Sequence, residues 1–173
     1  MNIRLWRSNA SLLTKKGAVH LIPVADPVRS FQKRKSDFIR ALDDVISSRN
    51  LVLGPEVLEF EKEFSIYLGG QGVVVSCGNG TDALYLALQA ANLPLGSLIA
   101  TVANAGFYSS SAIFRAGHKP LYMDVDVENG LMGLTEAVAA INSGAQMLIL
   151  THLYGTPVPE TREIVVRCNQ AGI

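Results

Sequence analysis

The stretch Val73–Leu88, VVVSCGNGTDALYLAL, decides how the chain is read. Three valines run into Ser76–Cys77–Gly78–Asn79–Gly80–Thr81, and apolar residues then return at helical spacing. A short β-branched run, a small-residue turn and an amphipathic helix form the first half of a βαβ unit. The glycines permit close backbone approach, and the amides opening the helix have no partner inside it. With the helix dipole, such a turn favours a bound anion. It is not a Walker loop, because no Gly-Lys-Ser/Thr follows, nor a G-x-G-x-x-G turn, because Thr81-Asp82-Ala83 follows Gly80 without a third glycine. Spacing alone leaves a structural turn and a phosphate cradle both open. If it is a cradle, the donors are the amides of Gly80 and Thr81 and the Thr81 hydroxyl. Asp82 opposes an anion unless its carboxylate is turned aside.

Outward from this stretch the pattern repeats. Strands are expected at Leu98–Val102, Leu121–Val125 and Met147–Thr151, in addition to Val73–Val75. Helices are expected at Thr81–Asn92, Phe107–Ala116, Leu134–Asn142 and Pro159–Ala171. Alternation of this kind predicts an α/β fold with a mostly parallel sheet and helices on both faces. Before Gly72 the character is helical. SFQKRKSDFIRALDDVISS sets Phe31, Phe38, Leu42, Val45 and Ile46 along one stripe, with Ser30 as its cap. PEVLEFEKEFSIYLGG starts at Pro55 and stops at Gly69–Gly70, the usual punctuation of a helix. The expected divisions are a tail over 1–21, a helical segment over 22–71 and an α/β portion over 72–173. Gly172 reads as a helix stop, after which an αβ pattern continues into a strand.

Composition narrows the class. Of 173 residues, 49% are apolar and 17% charged, and 15 basic residues balance 15 acidic ones. A core is expected, and the basic stripe of a nucleic-acid binder or a polybasic membrane anchor is absent from the sequence. No apolar run reaches membrane-spanning length. The positive mean hydropathy implies apolar surface awaiting a partner or further chain. Cys77 and Cys168 lie far apart with no ligand spacing, which argues against a disulfide framework or zinc site and fits a cytoplasmic setting.

Other constellations carry less. Phe107 and Tyr108 follow a strand end, where an aromatic either stacks on a flat heterocycle or joins the core. Ser109–Ser111 read as helix-surface or cap hydroxyls. Asp124 and Asp126 read as a solvated turn, since the EF-hand pattern fails. His152 and Tyr154 stand at a strand's carboxyl end, the usual place for sites in open sheets, but a lone histidine without a nucleophile beside it reads as structural.

Taken together, IPVADP at Ile22–Pro27, LVLGPEVLEFEKEFSIYLG at Leu51–Gly69, SCGNGTDALYLAL at Ser76–Leu88, AG-x-x-P-x-x-x-DVD at Ala116–Asp126 and LTHLYGTP at Leu150–Pro157 resemble the N-terminal portion of the DegT-type aminotransferases. These are fold type I, pyridoxal-phosphate enzymes that aminate keto groups on nucleotide-linked sugars. The resemblance runs from about Ile22 to the chain's end. It implies an incomplete fold type I large domain, with pyridoxal 5'-phosphate as cofactor and its phosphate held by Gly80 and Thr81. It also implies an aromatic stacked on the pyridine ring. Gapless alignment puts Gly106 at that aromatic position, so Phe107 and Tyr108 beside it are both carried forward.

The family's pyridine-pairing Asp and Schiff-base Lys belong to segments beyond the match. Lys15, Lys16, Lys33, Lys35, Lys62 and Lys119 do not stand in the family's lysine context, and Lys119 reads as a surface residue. The resemblance therefore implies no catalytic residue within this chain, and a fragment inactive alone. Its parent would be a homodimer transferring an amino group, with glutamate the expected donor, to a keto nucleotide-sugar for a polysaccharide or glycosylated metabolite. Two alternatives remain: a sugar dehydratase of the same family using the aminated cofactor, with His for Lys, and a non-catalytic phosphate- or nucleotide-binding α/β module.

Overall fold

The computed structural model describes residues 25–173, so the expected tail over 1–21 and the start of the 22–71 segment lie outside the described residues. The described residues divide into two compact units, one ending at Val73 and the other spanning Val74–Ile173.

In the first unit α1 (Pro27–Lys33), α2 (Lys35–Ser48) and α3 (Pro55–Tyr67) follow one another. The single helix expected with Ser30 as cap is instead two. Asp26 caps α1 by accepting from the Arg29 amide at 2.9 Å, Pro27 stands just inside, and the backbone breaks at Arg34. Asp26 prevails because it directly precedes the proline, whose fixed φ and missing N–H suit a first helical turn. None of the three helices contains a fully buried residue. The stripe of Phe31, Phe38, Leu42 and Ile46 is exposed. Phe31 and Phe38 meet with ring centroids 5.5 Å apart. As expected, α3 stops at two glycines in the left-handed region, where the Gly70 amide reaches back to Ser65 O.

The second unit is a three-layer α/β arrangement. Its elements are α4 (Gly80–Ala90), β1 (Leu98–Val102), α5 (Tyr108–Arg115), β2 (Lys119–Met123), α6 (Leu134–Asn142), β3 (Met147–Leu148) and α7 (Thr161–Gln170), with a 3-10 turn at Leu153–Gly155. The sheet order is β2-β1-β3, with every pairing parallel. Leu98 pairs with Lys119 and Ile99 with Met147. The central strand LIATV is nearly all buried, as a strand covered on both faces must be. Its alternate side chains divide the core. Ile99 packs with Leu88, Ala112, Ile113 and Ala116 under α4 and α5. On the opposite face Ala100 meets Ala140 and Ala145, and Val102 joins Ala137, Val158 and Ile164. Ile99 and Ile113 have no exposed surface, and burial of such side chains is worth roughly 1.5–3 kcal/mol each.

Three expectations on the strands change. Val73–Val75 forms no strand: Val73 and Val75 are strongly exposed, and none of the three described strands pairs with this run. β-branched residues favour a ladder but cannot make one without a neighbour to exchange backbone hydrogen bonds. β2 begins two residues earlier than expected, at Lys119, because the Lys119 amide already donates to Ser97 O. Lys119 is exposed, as expected. β3 is confined to Met147–Leu148, its pairing ending with the Ile149 amide on Ala100 O. Gly172 ends α7 at φ 73°, and the Ile173 amide closes on Cys168 O.

Candidate functional site

The opening of α4 is built by local capping. Asn79, extended at φ −170°, accepts from the Asp82 amide through Oδ1 at 3.0 Å. That leaves the amides of Gly80 and Thr81, and the Thr81 hydroxyl, with no protein acceptor. Above Gly80 a Cβ would meet nothing within 4 Å. Two unpartnered amides thus open α4 beside a glycine with free space over it, an arrangement that can receive an anion.

This opening forms one wall of a cleft of about 690 Å³ lined by Asn79, Gly80, Thr81, Asp82, Leu84, Tyr108 and Arg115. Three of the four residues expected in the site thus meet in one cleft: Gly80, Thr81 and Tyr108. Phe107 does not line it. Its backbone takes φ 67° to start α5, and its ring turns to Phe114, with centroids 6.4 Å apart. Tyr108 is steered into the cleft by Gly106, also in the left-handed region, where a Cβ would stand 2.7 Å from Tyr108 Cε2. The tyrosine ring thus lies against the position at which gapless alignment places the family's aromatic.

Asp82, the group adverse to an anion, is occupied. One carboxylate oxygen accepts from Asn79 Nδ2 at 3.1 Å, and the other pairs with the Arg115 guanidinium. Arg115 also lies over the Tyr85 ring, 4.2 Å from its centroid. Arg115 was not foreseen from sequence. It stands 33 residues from Asp82, and only the packing of α4 on α5 brings the two together.

His152 and Asp126 make local hydrogen bonds away from this cleft. His152 Nδ1 accepts from the Val158 amide at 3.0 Å and closes the 152–158 loop. Asp126 Oδ1 accepts from the Glu128 and Asn129 amides, as a solvated turn does. No group of His, Cys, Asp or Glu among the described residues could hold a metal ion. Ser109 and Ser110 depart from the helix-surface reading, for both are buried, and Ser110 Oγ receives the Tyr122 hydroxyl at 2.9 Å. Tyr122 stands on β2, so the Ser110 hydroxyl ties α5 to the sheet. No described helix is long and apolar enough to cross a membrane.

The family model for the DegT/DnrJ/EryC1/StrS aminotransferases matches residues 32–173. The chain belongs to this family. Its aminotransferases depend on pyridoxal phosphate. Among curated relatives, the chain is 32% identical over 134 residues to the pleiotropic regulatory protein of Geobacillus stearothermophilus, covering 78% of this chain and 36% of that one. It is also 32% identical over 139 residues to a dTDP-3-amino-3,4,6-trideoxy-alpha-D-glucose transaminase of Micromonospora megalomicea, covering 79% and 37%. The chain thus spans little more than a third of the length of these relatives. Among solved structures, a DegT DnrJ EryC1 StrS aminotransferase from Brucella abortus superposes with a TM-score of 0.77 at 26% identity, over 88% of this chain and 42% of that one. NtdA of Bacillus subtilis, solved with bound pyridoxamine phosphate, gives 0.78 at 24% over 90% and 36%, a likeness of fold alone. The fold is that of fold type I aminotransferases, represented by part of the large domain.

Proposed function

We propose that this chain is the cofactor-phosphate-binding portion of an aminotransferase acting on keto nucleotide-sugars, with glutamate as amino donor and a homodimer as the complete enzyme. The observation that carries the reading is the pair of unpartnered amides at Gly80 and Thr81, opening onto a cleft that Tyr108 shares. The family of DegT-type enzymes supplies the identity of the anion, and the sugar substrates of several relatives supply the substrate class.

The residues fit the phosphate end of pyridoxal phosphate. Two amides and the Thr81 hydroxyl offer three donors to an acceptor-rich dianion, reinforced by the positive end of the α4 dipole. The lack of a Cβ on Gly80 lets phosphate oxygens approach the backbone. Tyr108 flanks the same space and is the aromatic side chain of this cleft available to a pyridine ring. When bound, the cofactor would supply an electron-accepting ring and the aldehyde or amine group that carries nitrogen between donor and keto sugar. The chain's own contribution is to grip the phosphate and orient the ring. Its lysines do not stand in the family's Schiff-base context, and residues 1–173 by themselves are expected not to turn over an amino donor.

The test separates phosphate recognition from ring recognition. Pyridoxamine phosphate, which lacks the aldehyde that would label surface lysines, is titrated into chain 1–173 in parallel with unphosphorylated pyridoxamine. A clear preference for the phosphorylated form, lost in Gly80→Val and reduced in Thr81→Ala, is the expected result. Equal binding of both, or a preference for nucleotides over either, overturns the reading. Turnover of an amino donor by 1–173 with pyridoxal phosphate overturns the inactivity.

A further inference from the structure

An anion cradle that carries a carboxylate within its first helical turn needs something to cancel that charge. Asp82 is the third residue of α4, directly after the two donor residues. Its carboxylate folds back toward the loop, close enough that a Cβ on Gly78 would stand 2.8 Å from Oδ2. An uncompensated negative charge there would oppose a phosphate at the Gly80 and Thr81 amides. Two groups engage it. Asn79 Nδ2 is neutral and leaves the charge in place. Arg115, at the last turn of α5, is the group that neutralises it. Its guanidinium rests on the Tyr85 face, which fixes the direction from which it reaches α4, and it lines the cleft itself.

We infer that Arg115 is a positioning residue, acting through Asp82 to set the phosphate affinity of the α4 N-terminus. The inference rests on the reading of this cleft as the cofactor-phosphate site. Arg115 holds the carboxylate in a neutral pair, so that the incoming phosphate meets amides rather than an opposing charge. The side-chain exposures, 55% for Arg115 and 31% for Asp82, mean that water screens part of the effect. Its size is therefore modest, but its sign is diagnostic, because the defect from losing Arg115 is erased by removing the charge on Asp82.

The experiment is a double-mutant cycle on chain 1–173 with wild type, R115M, D82N and R115M/D82N, each titrated with pyridoxamine phosphate and with pyridoxamine. Methionine keeps a long unbranched side chain without the charge, and asparagine keeps the shape that Asn79 contacts. R115M is expected to weaken the phosphorylated ligand roughly fivefold, the scale of one partly screened charge, with pyridoxamine unchanged. D82N alone is expected to hold or tighten phosphate binding, and the double variant to return to within about twofold of D82N. A loss equal for both ligands, or one that persists in the double variant, shows that Arg115 merely struts α5 against α4 and overturns the inference. No loss in R115M overturns it while the cofactor reading stands. A wild type indifferent to the phosphate overturns both. If R115M does not fold by circular dichroism, D82N decides: weaker phosphate binding in D82N overturns the inference, and equal or tighter binding supports it.

Discussion

The Tyr108 ring lies against the Cα of Gly106, so close that a Cβ there would meet Cε2 at 2.7 Å and Cδ2 at 3.2 Å. Gly106 does two things at once: it adopts φ 69°, and it leaves room for the aromatic two residues on. Gly106→Ala is therefore expected to cost about 1–2 kcal/mol for the left-handed backbone and to displace the ring besides. Affinity for pyridoxamine phosphate and for pyridoxamine should fall together, because what is lost is the ring contact and not the phosphate grip. Parallel titrations check this, with Tyr108→Phe near wild type and Tyr108→Leu matching the alanine variant. Phe107→Leu, altering a ring outside the cleft, should leave both affinities unchanged.

Capping and charge at α4 can be separated at Asn79. Its Oδ1 accepts from the Asp82 amide, and its Nδ2 donates to the Asp82 carboxylate. Asn79→Ala removes the cap and should destabilise the α/β unit by about 1 kcal/mol. Asn79→Asp keeps an acceptor for the amide but places a second carboxylate beside Asp82. It should lower affinity for pyridoxamine phosphate more than it lowers the thermal midpoint. Thermal melts and titrations on the same two variants distinguish the effects.

Local signals mark most of the helices, the glycines that stop them and the parallel sheet, but not the break at Arg34 that divides α1 from α2. They do so because capping, periodicity and αβ alternation are written within windows of a dozen residues. Asp26 displaced Ser30 as a cap, since a proline directly after it preorganises the first turn. Val73–Val75 read as a strand on β-branching alone, yet a strand requires a partner that no local window reveals. At the candidate site, spacing marked Gly80 and Thr81 as a glycine-bearing helix start but left a structural turn and an anion cradle both open. The choice of Tyr108 over Phe107 depended on two successive left-handed residues, Gly106 and Phe107. Arg115 was invisible because its meaning lies in an ion pair made across two helices.

The two cysteines should differ in reactivity. Cys77 is exposed in the loop before α4, while Cys168 on α7 is half-buried beside the apolar core residues of the sheet. Burial pushes the Cys168 thiol above its ordinary range, because removing water disfavours the thiolate. A raised value means less thiolate at any pH below it, and the thiolate is the reacting form. Iodoacetamide at pH 8 should therefore label the exposed Cys77 before Cys168, and Cys168 labelling should keep climbing as the pH passes above the ordinary thiol range. Peptide mass spectrometry across a pH series reads both rates, and faster labelling of Cys168 in the folded chain would contradict its burial.

His152 offers the last test, one that sets a structural role against a catalytic one. Its Nδ1 accepts from the Val158 amide at 3.0 Å, across a loop that includes Tyr154 at φ 54° and Gly155 at φ 84°. Val158 is only 2% exposed, so its N–H has little access to water if the histidine is removed. His152→Ala should cost about 1–3 kcal/mol, the penalty of a buried donor left without an acceptor. His152→Asn presents a side-chain oxygen to the same amide and should recover part of that loss. Because His152 is outside the cleft lined by Gly80, Thr81 and Tyr108, the affinity of either folded variant for pyridoxamine phosphate should stay at the wild-type value. Hydrogen exchange at the Val158 amide, fast in the alanine variant and slow in wild type, would locate the defect in the loop. A fall in affinity with unchanged exchange would instead bring His152 into the binding site.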